Sequence, residues 1–443
     1  MAYRCWHRPF IQWNQPIINE GVIHMAVNEI ALQQSETEPR EIPSIFKNRN
    51  FLLLWGAALL SSFGISFFLF SQSWYVVNVL GLEASLGILY IAVSIPRVLF
   101  MIISGTVADR FDKAKIMFLS DFIRGLLLVG LVVWFIFGGI TLWTFVTFAF
   151  FFGILDAFFW AAESAVIPSI IHKDNLTRGN SIIQMTNQTS FILAPMLAGV
   201  IIAFGNYEIV FATTAVMLIV ASALIFFMRV PRVKEGSEEQ KRFWDDFKEG
   251  LLYVKNSRVI SLVVLTTIFM NLFLVGPLTM GLPLFVKTVL EGTAMSFSFL
   301  EAGLAVGMLL GSIVVGVLNV KKNRGKIGII ALVISGIAFT GLSFTTELWM
   351  SILCLGIFGF ALSGSNIPFI AAIQSLIEEK MLGRVMGLIS LASMGLIPVS
   401  YALTSGVLAF GVSIHHIMAV GAILVTLYSA FIFFRFKELR EIE

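Results

Sequence analysis

Residues 105–117 read GTVADRFDKAKIM, with five charges, Asp109, Arg110, Asp112, Lys113 and Lys115, inside seven positions. The chain on either side is apolar: VLFMIISG leads in at 98–105 and GLLLVGLVVWFIF follows at 125–137. A dense, mixed-sign knot between two long apolar runs fits a short water-exposed turn between two membrane crossings, because charge is excluded from the crossings themselves.

The rest of the chain agrees. It has 443 residues, 58% of them hydrophobic and only 13% charged, against about 25% charged in soluble domains. Phe alone contributes 42 residues. Long stretches carry no Asp, Glu, Lys or Arg, as between Arg49 and Glu83 or between Arg384 and Arg435. Backbone amides in lipid must bond within their own segment, so such stretches are helices. Turn signals and charges divide them into twelve predicted spans: 50–80, 84–108, 114–137, 141–169, 176–204, 206–229, 258–289, 294–319, 325–345, 348–377, 382–410 and 413–436. The fold class is an all-α integral membrane protein with twelve transmembrane helices.

Lys and Arg set the direction. With the N-terminus in the cytoplasm, the inner connections hold Arg110, Lys113, Lys115, Lys173, Arg178, Lys321, Lys322, Arg324, Lys326, Lys380 and Arg384, and the tail adds Arg435, Lys437 and Arg440. The outer connections hold only Lys287 beside Glu83, Glu208, Glu291 and Glu347. Both termini are therefore expected inside, with the chain in the cell membrane. The organisation reads as a cytoplasmic leader over 1–49, a six-helix bundle over 50–229, a cytoplasmic linker over 230–257, a second six-helix bundle over 258–436 and a tail over 437–443. In the linker Phe243, Trp244, Phe247, Leu251 and Leu252 recur at helical spacing among charges, the pattern of an interfacial amphipathic helix that tethers the bundles. Residues 1–40 show no interpretable pattern and are expected to be poorly ordered, and Met25 is an alternative start.

The two bundles repeat one another. GTVADRFDKAKI (105–116) parallels GVLNVKKNRGKI (316–327) at an offset of 211 residues, and LTRGNS (176–181) parallels LGRVMG (382–387) at 206, an offset that AFG at 203–205 and 409–411 keeps. Repeated halves with a substrate path between them characterise secondary transporters.

On these residues the chain resembles the major facilitator superfamily. Gly105, Asp109, Arg110 and Lys113 match that family's G-x-x-x-D-R-x-G-R-[KR] loop, while Asp112 replaces the second glycine and Ala114 the last basic residue. In the fifth span Ala194-Pro195-Met196-Leu197-Ala198-Gly199 resembles the drug-antiporter signature G-P-x-x-G-G through Pro195 and Gly199, with alanine at two glycine positions. The fourth span, GILDAFFWAAESAVIPSIIHKDNLTRGNS, resembles the drug:proton antiporter branch that contains macrolide-efflux and enterobactin-export proteins. A carboxylate at the C-terminal end of its own helix is better placed against the N-terminus of another. The resemblance makes that other helix the eleventh span, beginning near Leu382-Gly383-Arg384. It thereby implies a cytoplasmic latch of Asp109 on Arg384, with Arg110 and Lys113 pairing nearby acids. The latch forms when the inner side closes. Topology alone is the plainer reading of the same charges.

Six charges fall inside predicted spans: Arg97, Asp121, Arg124, Asp156, Glu163 and Glu301. Each costs about 2.5–3.5 kcal/mol at mid-bilayer, so each needs a partner or a cavity. Asp121 and Arg124, three apart, are expected to pair. Asp156 and Glu163, seven apart, share a helix face. The resemblance places that helix on the central cavity, where desolvation disfavours a charged carboxylate and suits Asp156, with Glu163 second, to carry a coupling proton. Arg97 is a candidate counter-charge, and the alternative is a static ion pair. Glu301 has no evident partner in the sequence. Gln72, Asn78, Gln184, Asn187, Gln188, Asn271 and Asn366 are candidate cavity-lining residues, with interhelical hydrogen bonding as the plainer use.

Catalysis is disfavoured. His7, His24, His172, His415 and His416 lie away from the membrane acids, and Cys5 and Cys354 form no metal spacing. No cofactor, metal or nucleic acid is expected. The expected function is export of small, largely apolar, drug- or macrolide-like molecules by alternating access, in exchange for protons, by a monomer in the lipid bilayer. The alternatives are an exporter of one physiological solute, such as a siderophore or lysolipid, and a transport-inactive scaffold.

Overall fold

The computed structural model describes residues 45–441, apart from 139, 173–174, 205–206, 231–242 and 319–322. The expected leader thus lies outside the described residues up to residue 44, and its last part belongs to the bundle. Ile45 is 2% exposed, and Asn48 ties the chain down by donating from Nδ2 to the Ile170 carbonyl at 2.6 Å. The Asn48 side chain also accepts from the Asn50 and Phe51 amides, capping the first long helix.

Six helices form the first half: α1 (Arg49–Asn78), α2 (Leu86–Arg110), α3 (Lys113–Ile136), α4 (Leu142–Ile170), α5 (Leu176–Ala203) and α6 (Tyr207–Phe226). The amphipathic α7 spans Phe243–Asn256. The second half comprises α8 (Arg258–Thr288), α9 (Ala294–Leu318), α10 (Arg324–Ser343), α11 (Leu348–Leu376), α12 (Glu379–Ala409) and α13 (Ile414–Arg435). Among the described residues eleven helices are long and apolar enough to cross a bilayer. α2 makes the twelfth; its apolar stretch, Leu86–Met101, is shorter. The opening charge knot is resolved by Asp112, which caps α3 by accepting from the Ala114 and Lys115 amides at 3.1 and 3.4 Å. The residue that breaks the family's loop pattern therefore starts a helix. α12 begins at Glu379 rather than near Leu382, so Arg384 sits on its second turn.

The halves repeat in packing as they do in sequence. α2 packs on α4 as α9 packs on α11, α3 on α6 as α10 on α13, and α1 on α5 as α8 on α12. Between halves the contacts are α1 with α8, α2 with α12, and α5 with α9. The connections at one end carry Arg110, Lys113, Arg178, Arg324 and Arg384, and this is called the basic end; the other end carries Glu83, Glu208, Lys287, Glu291 and Glu347.

The cores differ between the two ends. One continuous cluster, including Phe70, Trp74, Leu128, Phe285, Phe297 and Tyr401, joins both halves away from the basic end. Toward the basic end there are two separate clusters. One is in the first half around Phe51, Met117 and Phe159, and the other is in the second half around Ile260, Phe369 and Val385. The halves are therefore sealed at one end and parted at the other.

α8 is not a regular helix. It passes through a π segment at Asn271–Val275 and then carries Pro277 and Pro283. Proline removes a donor from the ladder, and α12 bridges the disturbed turn. Ser400 Oγ accepts from the Gly276 amide at 2.8 Å and donates to the Leu272 carbonyl at 2.7 Å. Its counterpart α1 is a regular helix of 30 residues without proline.

Candidate functional site

A cavity of about 1210 Å³ lies between the halves. α1 lines it with Ser66, Leu69, Phe70 and Ser73, α2 with Tyr90, and α4 with Trp160, Glu163 and Ile167. α5 contributes Asn180, Gln184, Asn187, Gln188 and Pro195, α8 contributes Thr279, and α9 contributes Glu301, Leu304, Met308 and Ser312. Both halves thus build one site, and no Lys, Arg or His is among its described lining residues.

The sealed end is built from close helix contacts. A Cβ on Gly199 of α5 would lie 2.6 Å from Ser298 Oγ and 3.0 Å from the Ala294 carbonyl of α9. A Cβ on Gly87 of α2 would meet Ser405 of α12, whose Oγ donates to the Ala84 carbonyl. These are equivalent places in the repeat: Gly87 and Ser298 stand 211 residues apart, and Gly199 and Ser405 stand 206 apart. Aromatic rings fill the space between, with Phe70 stacked on Phe297 at 4.5 Å and Tyr90 beside Tyr401 at 5.0 Å. Gly199 of the antiporter-like motif is therefore a seam residue, and Pro195, one turn earlier, faces the cavity.

At the basic end Gly105 of α2, Gly316 of α9, and Gly383 and Gly387 of α12 lie in open space. Of the expected latch, the Asp109 side chain lies outside the described residues. Arg110 is exposed, and Lys113 opens α3. Arg384 has Nη1 2.7 Å from Glu249 Oε2 on α7. Gly250 and Tyr253 of α7 also lie against the first turns of α12. The tether helix is thus docked on the second half.

Four charges inside the first half form a chain. Arg97 Nε lies 3.1 Å from Asp156 Oδ2, Arg124 Nη1 3.5 Å from Asp156 Oδ1, and Arg124 Nη2 3.4 Å from Asp121 Oδ1. Ser61 of α1 donates to Asp121 at 3.2 Å, and Arg124 lies over the Phe159 ring. Two cations and two anions cancel, and four helices are joined. Asp156, the leading candidate for a proton carrier in the sequence, is clamped between two guanidinium groups. Removing it would leave Arg97 uncompensated and Arg124 with Asp121 alone, which is the position of a structural strut. Glu163 is 7% exposed, faces the cavity, and has no basic group at ion-pair distance among the described residues.

Gln184, Asn187 and Gln188 line the cavity, and Asn187 also accepts from Ser62 across α1. Four other expected lining residues do not. Ser66, Leu69, Phe70 and Ser73 occupy one stripe of α1 at helical spacing, which places Gln72 on another face, fully buried. Asn78 ends α1 and accepts from Lys287 Nζ at 2.8 Å. Asn271 bonds back to the Thr267 carbonyl inside the α8 irregularity, and Asn366 is exposed. Glu301 has no role that sequence reasoning could assign, and its place on the cavity emerges only from the packing of α9.

Among known proteins, a family model described as the Major Facilitator Superfamily matches residues 54–400. Macrolide efflux protein A of Streptococcus pyogenes is 25% identical over 319 residues, covering 70% of this chain and 76% of that protein. The enterobactin exporter EntS of Salmonella typhi is 24% identical over 304 residues, covering 65% and 68%. The crystal structure of the nucleoside transporter NupG superposes with a TM-score of 0.67 at 12% identity, covering 88% of this chain and 100% of that one.

Proposed function

This chain belongs to the Major Facilitator Superfamily, and from that premise we propose that it exports small, largely apolar molecules from the cytoplasm by alternating access, in exchange for protons. One observation carries the reading: a cavity shared by both halves, sealed at one end by paired glycine contacts and parted at the basic end. Lys- and Arg-rich connections face the cytoplasm, so the cavity in this state faces inward, with both termini inside. Macrolide efflux protein A and the enterobactin exporter are both named for outward transport. The domain boundaries read from the sequence, with the leader shortened to residue 44, stay with this proposal.

Glu163 is the coupling carboxylate in this scheme, because it reaches the cavity without a fixed counter-charge. Closing the basic end brings the start of α12 toward the end of α2. Arg384 pairs with Asp109 in that closed state, completing the latch.

The test is flux in proteoliposomes under an imposed pH gradient, with macrolides and other amphipathic compounds as substrates. Gradient-driven flux is expected for the wild type. Glu163→Gln is expected to lose the response to the gradient while keeping substrate exchange at zero gradient. Equal gradient response in the two proteins would overturn the proton role, and no flux of any compound would overturn the exporter reading.

A further inference from the structure

A second cavity, of about 350 Å³, lies at the basic end and is formed by the second half alone. Five charged residues line it: Arg258, Arg435, Lys437, Glu438 and Glu441. Arg258 opens α8, Arg435 closes α13, and the other three belong to the short tail helix Lys437–Arg440 and the residue after it. The charges stand on packed backbone. Leu439 of the tail is fully buried and shares a core cluster with Val254 of α7, Ile260 of α8 and Ile432 of α13. A Cβ on Gly325 of α10 would collide with the Leu439 carbonyl. Within the cavity Arg258 Nη1 lies 2.9 Å from Glu438 Oε1, and Lys437 Nζ lies 3.4 Å from Glu441 Oε1. Both pairs are exposed, so each holds weakly and yields to a stronger anion. Arg435 is exposed too, and it has no acid at ion-pair distance among the described residues. Three cations thus meet two anions, and one guanidinium is left over.

The repeat carries the same two arginines in its first half. Arg49 opens α1 as Arg258 opens α8, and Arg229 follows α6, 206 residues before Arg435. The tail with Lys437 is what the second half adds. Beside the cavity, the exposed side chains Val420, Ile423, Leu427, Phe431 and Phe434 form one stripe of α13 at three- and four-residue spacing, and the stripe ends next to Arg435. Such a stripe faces lipid tails, and Arg435 stands where tails give way to headgroups. A guanidinium forks two hydrogen bonds to phosphate oxygens, and basic pockets at the cytoplasmic ends of membrane helices suit anionic headgroups. We propose that this cavity binds the phosphate headgroup of an anionic phospholipid. Arg435 makes the first contact, Arg258 and Lys437 close on the phosphate, and the acyl chains lie along the α13 stripe. The inner leaflet is named on the orientation given above; the site itself is independent of what the central cavity carries. A soluble phosphate ester has the same chemistry without the chains, and general attraction to a basic surface is the plainer alternative.

Native mass spectrometry of the full chain in detergent micelles separates these. The ligands are phosphatidylglycerol, zwitterionic phosphatidylcholine, and glycerol 3-phosphate, a headgroup without chains. The wild type is expected to take its first phosphatidylglycerol at least fivefold more tightly than phosphatidylcholine, and to show no bound glycerol 3-phosphate at the same concentration. Arg435→Gln loses that preference and Arg435→Lys keeps part of it. Lys115→Gln, which removes the same charge from an exposed position at the start of α3, keeps all of it. A wild type without preference overturns the proposal, as does glycerol 3-phosphate bound as tightly as the lipid. Equal losses in Arg435→Gln and Lys115→Gln also overturn it, because surface charge alone then accounts for the binding. Acylation of lysines in the wild type gives a second measurement that needs no variant to fold. Phosphatidylglycerol is expected to protect Lys437 and leave Lys115 reactive, and equal protection of the two counts against the site.

Discussion

The first half carries Arg97, Asp121, Arg124, Asp156 and Glu163 deep inside its helices, and the second half carries Glu301 there. The first half has a regular α1 and ties α1 to α4 together through charge; the second has a disturbed α8 whose ladder is bridged by Ser400 of α12. One packing plan thus holds two kinds of interior. Buried ion pairs fix geometry more surely than they add stability, so the first half is suited to move as a block. The irregular α8 concentrates the places where a helix can bend, and it contacts α1 across the molecule.

The sharpest way to break this comparison is Arg124→Leu, which leaves the buried Asp121 without a cation and Asp156 with Arg97 alone. A loss of about 3–5 kcal/mol is expected, read as a lowered Tm in detergent. Adding Asp121→Asn should restore part of it. An unchanged Tm would show that the charge chain does not hold the first half together.

Next come the seams. Gly199→Leu and Gly87→Leu each require helices to separate at the sealed end, so each should lower flux by about tenfold, equivalent to about 1.4 kcal/mol. Gly130→Leu on α3, where a side chain has open space, is the control. Equal flux in all three variants would mean that sealing this end is dispensable.

A smaller effect separates α8 from α1. Ser400→Ala removes the bridge and should cost about 1–3 kcal/mol by leaving backbone groups unpaired. Ser71→Ala on α1 removes a buried hydroxyl that has no partner, and should leave Tm nearly unchanged. Similar effects would deny α8 its special character. The smallest change is expected from Glu249→Gln: its pair with Arg384 is partly exposed, so stability should move by less than about 1 kcal/mol. In the proposed latch scheme it should also raise the share of molecules closed at the basic end, measured by spin-label distances between α2 and α12.

The spans were legible because a bilayer punishes charge so strongly that gaps between charges delimit helices. The Asp121–Arg124 pair was legible because three-residue spacing fixes its geometry within one helix. Of the clamp on Asp156, the static pair with Arg97 was one of the two readings, whereas the second hold by Arg124 was not legible, since it needs the approach of another helix. Gln72 misled because a polar residue in an apolar run marks a need for burial or a cavity without saying which face it occupies. Ser400 looked like one of many serines, and only the approach of α12 to Gly276 gives it a task. Gly276–Pro277 was the local sign that some partner would be needed.

The seam contacts have a consequence for ancestry. At both repeat-related positions the first half supplies the glycine and the second half the serine. Two copies of the first half would meet glycine to glycine and leave gaps, and two copies of the second would bring serine against serine where one side needs a hollow. The halves have become socket and knob, so after duplication each is fitted to its sibling and poorly fitted to its twin.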